Sequence, residues 1–303
     1  MLFSLAAGVV NGAVGARELP AVVKARLFER TQTIRFSSSI VRVPMRGTDH
    51  VGHRKCPYVQ VYVNGKGPFT FLYDTGAAYF IIGSKVAEAA GTTMVFNRGG
   101  ARDVVEIGNL RLGGFQVDGL WAIVDDTFGV DGVIGFPTLG NAIVGIDFAH
   151  RQILLSRKPI HMRRAFTLPY TAPDGVDVPA IPVGINGRTV PILIDTGDDA
   201  YGLELRSGEL GDAAVKHAPI AAATVMNGAR SQRTFTTTLV DPLTLGPTKA
   251  IAADLAINDD LPIGDLGYDA LRQFRFEIDP VRHVVTFQPL FRGRQFKLVL
   301  QGN

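Results

Sequence analysis

The sequence predicts an all-β protein made of two related lobes with short helices. Three observations lead there. The tripeptide Asp-Thr-Gly occurs twice, at Asp74-Thr75-Gly76 and at Asp195-Thr196-Gly197, each time after a run of apolar, β-prone residues. Upstream of each copy, apolar residues alternate before an Asn-Gly pair. Short β-prone runs are separated throughout by turn formers, with 34 glycines and 17 prolines in 303 residues.

The elements follow in chain order. Val59, Val61 and Val63 alternate before Asn64-Gly65, and Ile181, Val183 and Ile185 alternate before Asn186-Gly187. Alternation marks a strand with one buried face, and Asn-Gly is a strong hairpin signal. Each copy therefore reads strand, tight turn, strand, Asp-Thr-Gly. Further on, "GVIGFPTLGNAIVGIDFAHRQILL" aligns with "GDLGYDALRQFRFEIDPVRHVVTF". That alignment pairs Gly135 with Gly267, Leu139 with Leu271, and Ile146-Asp147 with Ile278-Asp279. Repetition in a fixed internal order implies a duplicated architecture. "SKVAEAAG" at 84–91 is a helix that Gly91 can end, and "YDALRQF" at 268–274 is a second short one. The expected division is a leader at 1–16, an extension or propeptide at 17–50, a first lobe at 51–160 and a second at 161–303. Asp147 and Asp279 read as turn residues between strands.

Composition narrows the function classes. Net charge is +3, and apart from Arg151, Arg157, Lys158, Arg163 and Arg164 the basic residues scatter. Without an interleaved aromatic motif this cluster reads as a solvated connector, so no nucleic-acid partner is expected. No apolar run reaches the length of a membrane span. Cys56 is the only cysteine, which excludes an intramolecular disulfide and a cysteine-based metal cluster. His50, His53 and Cys56 lie close together in a polar loop without a fourth ligand, so no metal and no cofactor are expected. His161, His217 and His283 have no visible Ser or Cys partner for a triad. Residues 1–16 resemble a secretory signal, with an apolar stretch before Val14-Gly15-Ala16 but no preceding Lys or Arg. The expectation is a periplasmic or secreted protein, and a cytoplasmic one if that segment is retained.

A carboxylate where a buried strand meets a tight turn is costly unless something compensates for it. Two such carboxylates can compensate one another. Carboxyls a few Å apart share one proton, so the ionised one can act as base and the protonated one as acid. That is what peptide hydrolysis requires: an activated water and a proton for the carbonyl oxygen or the leaving amine.

The paired Asp-Thr-Gly motifs, each followed by an apolar-apolar-Gly segment ("VIG" at 133–135, "DLG" at 265–267, the latter with Asp265 for the first apolar residue), resemble the aspartic proteases. The single-chain duplication is similar to the pepsin type, and Asp74-Thr75-Gly76-Ala77 to the retroviral type. The resemblance covers roughly residues 55–290 and implies a bilobal aspartic-protease-like fold. Asp74 and Asp195 would be catalytic, with Thr75, Gly76, Ala77, Thr196, Gly197 and Asp198 supporting them. It implies that each threonine bonds to the opposite lobe's loop, and that a hairpin flap closes over an extended polypeptide substrate. Flap candidates are Gly99-Gly100 and Asn227-Gly228. Both half-sites lie in one chain, so a monomer suffices. Asp198 departs from the family's pattern, because pepsin-like sequences carry Ser or Thr there. If it points inward, it is a like charge that raises the upper pKa of the pair. The competing expectation is an inactive module of the same fold that binds peptides or a protein.

Overall fold

The computed structural model describes residues 32–49, 52–96, 103–173, 178–222, 225–227 and 230–300, together with Val23, Arg26 and Leu27. The expected leader, 1–16, and the flap candidate Gly99-Gly100 lie outside the described residues. The architecture is all-β, with three extended sheets, a separate two-stranded hairpin and only short helices.

An eight-stranded sheet uses strands between Thr33 and Gly135, and a ten-stranded sheet uses strands between Ala180 and Phe296. A six-stranded sheet draws on both halves. Its central strands, Ile143–Asp147 and Phe274–Asp279, pair antiparallel with Val144 opposite Ile278 and Asp147 opposite Arg275. Asp147 and Asp279 end these strands as turn residues. Asp147 accepts from the N–H of His150, and Asp279 from those of Val281 and Arg282.

The local chemistry of the two halves runs in parallel. Tyr58–Val63 and Lys66–Asp74 form one hairpin, and Ala180–Ile185 and Arg188–Ile194 form another. Both turns have positive φ at both central residues: 49° and 75° at Asn64-Gly65, 47° and 70° at Asn186-Gly187. Such turns match the twist of the flanking strands, and Asn followed by Gly tolerates them. The alternating residues Val59, Val61, Val63, Ile181, Val183 and Ile185 are all buried.

Each hairpin's second strand then gains a parallel neighbour from far along the chain. Asp74 sits opposite Gly135 in Gly132–Gly135, and Ile194 opposite Leu266 in Asp265–Leu266. Parallel pairing needs a long crossover, and here it brings one Asp-Thr-Gly beside Val133-Ile134-Gly135 and the other beside Asp265-Leu266-Gly267. The helices Ser84–Ala89 and Tyr268–Leu271 occupy the predicted places, and Gly91, with φ of 59°, ends the first. Phe136–Leu139 forms a 3-10 turn where Tyr268–Leu271 forms a helix in the other half.

Part of the segment preceding residue 51 is built into the sheets. Thr33–Phe36 pairs with the strand Phe115–Val124, and Ile40–Pro44 pairs with Gln152–Ser156. Val23 and Leu27 are buried in the apolar cluster that also holds Tyr58, Ala77 and Ala78. In the basic cluster, Arg151 bonds to the carbonyls of Arg54 and Met45, and Arg157 to that of Ile34. These two arginines tie down backbone. Among the described residues no helix is long and apolar enough to cross a membrane.

Candidate active site

Asp74 is the last residue of its strand, and the chain turns sharply at Thr75-Gly76. The turn aims two N–H groups back at the carboxylate. Gly76 and Ala77 donate to Asp74 Oδ1 at 2.8 and 3.1 Å. The second turn repeats this: Gly197 and Asp198 donate to Asp195 Oδ1 at 2.7 and 3.1 Å. Both aspartates are fully buried.

The glycines bring the two turns together. A Cβ added to Gly76 would lie 2.5 Å from Asp195 Oδ2, and one added to Gly197 would lie 2.5 Å from Asp74 Oδ2. Each carboxyl therefore rests against the opposite turn, in space that only glycine leaves free. Thr75 and Thr196 lock the junction. The Thr75 N–H donates to Thr196 Oγ1 at 3.1 Å, and the Thr196 N–H donates to Thr75 Oγ1 at 3.0 Å. The hydroxyls donate in turn to the carbonyls of Ile194, at 2.5 Å, and Tyr73, at 2.9 Å. The two motifs, 121 positions apart in sequence, thus form one buried cluster.

The outer oxygens, Asp74 Oδ2 and Asp195 Oδ2, have no donor from elsewhere in the protein. Burial raises the pKa of both carboxyls. For Asp74 the neighbouring Asp195 adds to the rise, and only the Gly76 and Ala77 amides oppose it. For Asp195 a hydrogen bond from Asp74 and its own turn amides act the other way. Burial and mutual repulsion therefore favour a single proton held between the two carboxyls.

Asp198 points inward and is fully buried, and its Oδ1 accepts from the N–H of Ala200 at 2.8 Å. Burial, then Glu204, then Asp195 push its pKa well above the usual carboxylate range. The sequence left the direction of this side chain open; the structure turns it inward, where burial favours its neutral form. Glu204 and Asp265 are also fully buried, and neither stood out as a site residue. The available signals were an acid within "YGLELRS" and one at the apolar position of the "VIG" pattern.

Other groups surround the pair. Cys56 is buried, with its Sγ 3.4 Å from the Gly197 carbonyl; burial, followed by four nearby carboxylates, pushes its thiol up. Asp199 is pushed up to about 6 by burial, against the pull of Lys55 and His53. His53 pairs with Asp49 at 2.8 Å, while Cys56 faces the junction. His50 lies outside the described residues. Among the described residues, no three His, Cys, Asp or Glu side chains are arranged to hold a metal ion. At the second flap candidate, Val225–Asn227 and Arg230–Gln232 form a hairpin with Asn227 opposite Arg230, and Gly228 lies outside the described residues.

No curated protein matches the chain. Residues 59–138, which run from the first Asn-Gly hairpin through Asp74-Thr75-Gly76 and Val133-Ile134-Gly135 to Thr138, match the model of a family described as aspartyl protease.

Proposed function

We propose that this protein is an aspartic endopeptidase that hydrolyses peptide bonds of an extended polypeptide, with Asp74 and Asp195 as one catalytic pair. The observation that carries this is the facing pair of buried carboxyls. Each is held through Oδ1 by two backbone amides, with Oδ2 turned to the opposite turn and supplied with no other donor. The aspartyl protease match over the first motif supports the same reaction class.

The chemistry follows from the shared proton. The ionised member of the pair takes a proton from a water as the water oxygen attacks the peptide carbonyl carbon. The protonated member gives its proton to the carbonyl oxygen, forming a gem-diol. In collapse, the carboxyl that took the water's proton gives it to the amide nitrogen, the C–N bond breaks, and its partner recovers a proton from a gem-diol hydroxyl. The pair ends in the state in which it began, without a metal or organic cofactor. The hairpin of Val225–Asn227 and Arg230–Gln232 is assigned as a flap over the substrate. One chain supplies both half-sites, so the working unit is a monomer. Export to the periplasm or beyond, with loss of residues 1–16, completes the proposal.

The test is cleavage of a peptide library by the purified protein between pH 3 and 8, with and without a statine-type inhibitor. Cleavage that the inhibitor abolishes is expected. Peptide binding without cleavage at any pH would instead make the chain an inactive binding module of the same fold.

A further inference from the structure

Buried behind Asp195 is a second group of carboxyls that the proposed reaction does not use. Asp198, Glu204 and Asp265 are each fully buried. Four of their oxygens have no hydrogen-bond partner: Asp198 Oδ2, Glu204 Oε1 and both carboxyl oxygens of Asp265. The donors that do reach the group are the amides of Ala200 and Tyr201 on Asp198 Oδ1 and the Asn258 side chain on Glu204 Oε2.

The other half of the molecule shows what these positions hold when no acid is present. Ile81 pairs with Val133 across neighbouring strands, and Glu204 pairs with Asp265 in the same arrangement. Val133 also sits opposite Leu72, as Asp265 sits opposite Leu193. Ala77 and Asp198 each follow the motif glycine and donate an N–H to the preceding aspartate. An apolar set of Ala, Ile and Val in one half is a set of three carboxylic acids in the other, so an apolar core satisfies this geometry and packing does not require the acids.

We infer that Asp198, Glu204 and Asp265 are positioning residues, a proton-holding cluster that keeps the proton of the Asp74/Asp195 pair in place as pH rises and lowers alkaline stability in doing so. In its neutral form each carboxyl brings its own O–H, the donor that the orphan oxygens lack. The titratable groups facing the cluster are Asp195, Asp199, Glu209, the Tyr201 phenol and the Cys56 thiol, while Lys55 acts on Asp199 and Arg206 on Glu209. Burial is the first cause of the raised pKa in all three acids, and Glu204 is pushed up to about 7. Asp195 raises Glu204, and coupling between sites is reciprocal, so ionised Glu204 holds a proton on the pair. An acid raised by folding leaves stability intact below its unfolded value and removes it as pH climbs towards the folded one.

The catalytic arm of this inference rests on the protease proposal; the stability arm does not. The experiment measures Tm and kcat/KM from pH 4 to 9 for wild type, Glu204→Gln and Asp265→Asn. Wild-type Tm is expected to fall between pH 5 and 8, and Glu204→Gln to recover several degrees at pH 8. The alkaline limb of kcat/KM in Glu204→Gln is expected to move to lower pH, so the variant becomes more stable yet less tolerant of base. A purely structural role would not separate the two readouts in this way. Parallel Tm–pH curves for wild type and Glu204→Gln overturn the inference whatever the activity. An unmoved alkaline limb in a stabilised variant overturns the positioning role. If no peptide is cleaved, the protease proposal fails and the Tm curves still decide the cluster. If Glu204→Gln does not fold, Asp265→Asn supplies the same two curves.

Discussion

Thr75 and Thr196 exchange hydrogen bonds across the junction of the two halves, each backbone N–H donating to the other's hydroxyl at 3.1 and 3.0 Å. Each hydroxyl also donates to a carbonyl of the opposite half, Ile194 for Thr75 and Tyr73 for Thr196. Replacing either threonine by valine keeps the shape, orphans an N–H and a carbonyl, and leaves both buried. Each Thr→Val change is expected to cost about 1–3 kcal/mol. The double variant should cost less than the sum, because both changes break one network. Urea unfolding of the four proteins measures this, and unchanged midpoints in both single variants would contradict the cross-junction lock.

Glycine is required at two kinds of position, for two reasons. At Gly76 and Gly197 an added Cβ would collide with the opposite carboxylate, so Gly76→Ala and Gly197→Ala must push the pair apart. Both are expected to lose nearly all cleavage while remaining folded. At Gly65 and Gly187 an added Cβ meets nothing within 4 Å, and only the positive φ resists substitution. Alanine there should cost about 1 kcal/mol and leave kcat/KM unchanged. Assaying the four variants side by side separates steric from conformational need.

Cys56 should be inert in the native protein. Its thiol is buried beside Gly197, and burial together with nearby carboxylates disfavours the thiolate. The thiolate is the reactive form. A colorimetric thiol reagent is expected to find no titratable thiol under native conditions and one equivalent in guanidinium. Rapid native labelling would place Cys56 in a more open environment than the structure gives it.

Much of the fold was legible because period-two alternation, Asn-Gly turns and the repeated tripeptide are local signals. Val59, Val61 and Val63 before Asn64-Gly65 specify a hairpin without reference to the rest of the chain. The meeting of the two motifs was legible through the family resemblance that the repeated tripeptide carries. What stayed hidden depends on distant pairing. Glu204 reads as an ordinary acid in a short strand until the sheet sets it opposite Asp265. Cys56 reads as a loop residue beside two histidines until the junction brings it against Gly197. Asp198 was noticed because it departs from a familiar pattern, but its raised pKa comes first from burial and then from Glu204, which no local signal connects to it. Thr33–Phe36 and Ile40–Pro44 are brief strands whose partners lie far along the chain, at Phe115–Asp118 and Gln152–Ser156.

The central claim is that Asp74 and Asp195 act as a single unit holding one proton. Asparagine preserves the shape of either residue and cannot share that proton. The most direct measurement is kcat/KM for Asp74→Asn, Asp195→Asn and the double variant on a peptide that the wild type cleaves, with circular dichroism confirming the fold. Each single variant is expected to lose about 1000-fold or more, and the double variant little beyond that, because the members of one catalytic unit are not additive. A folded single variant that cleaves at close to the wild-type rate would contradict the account.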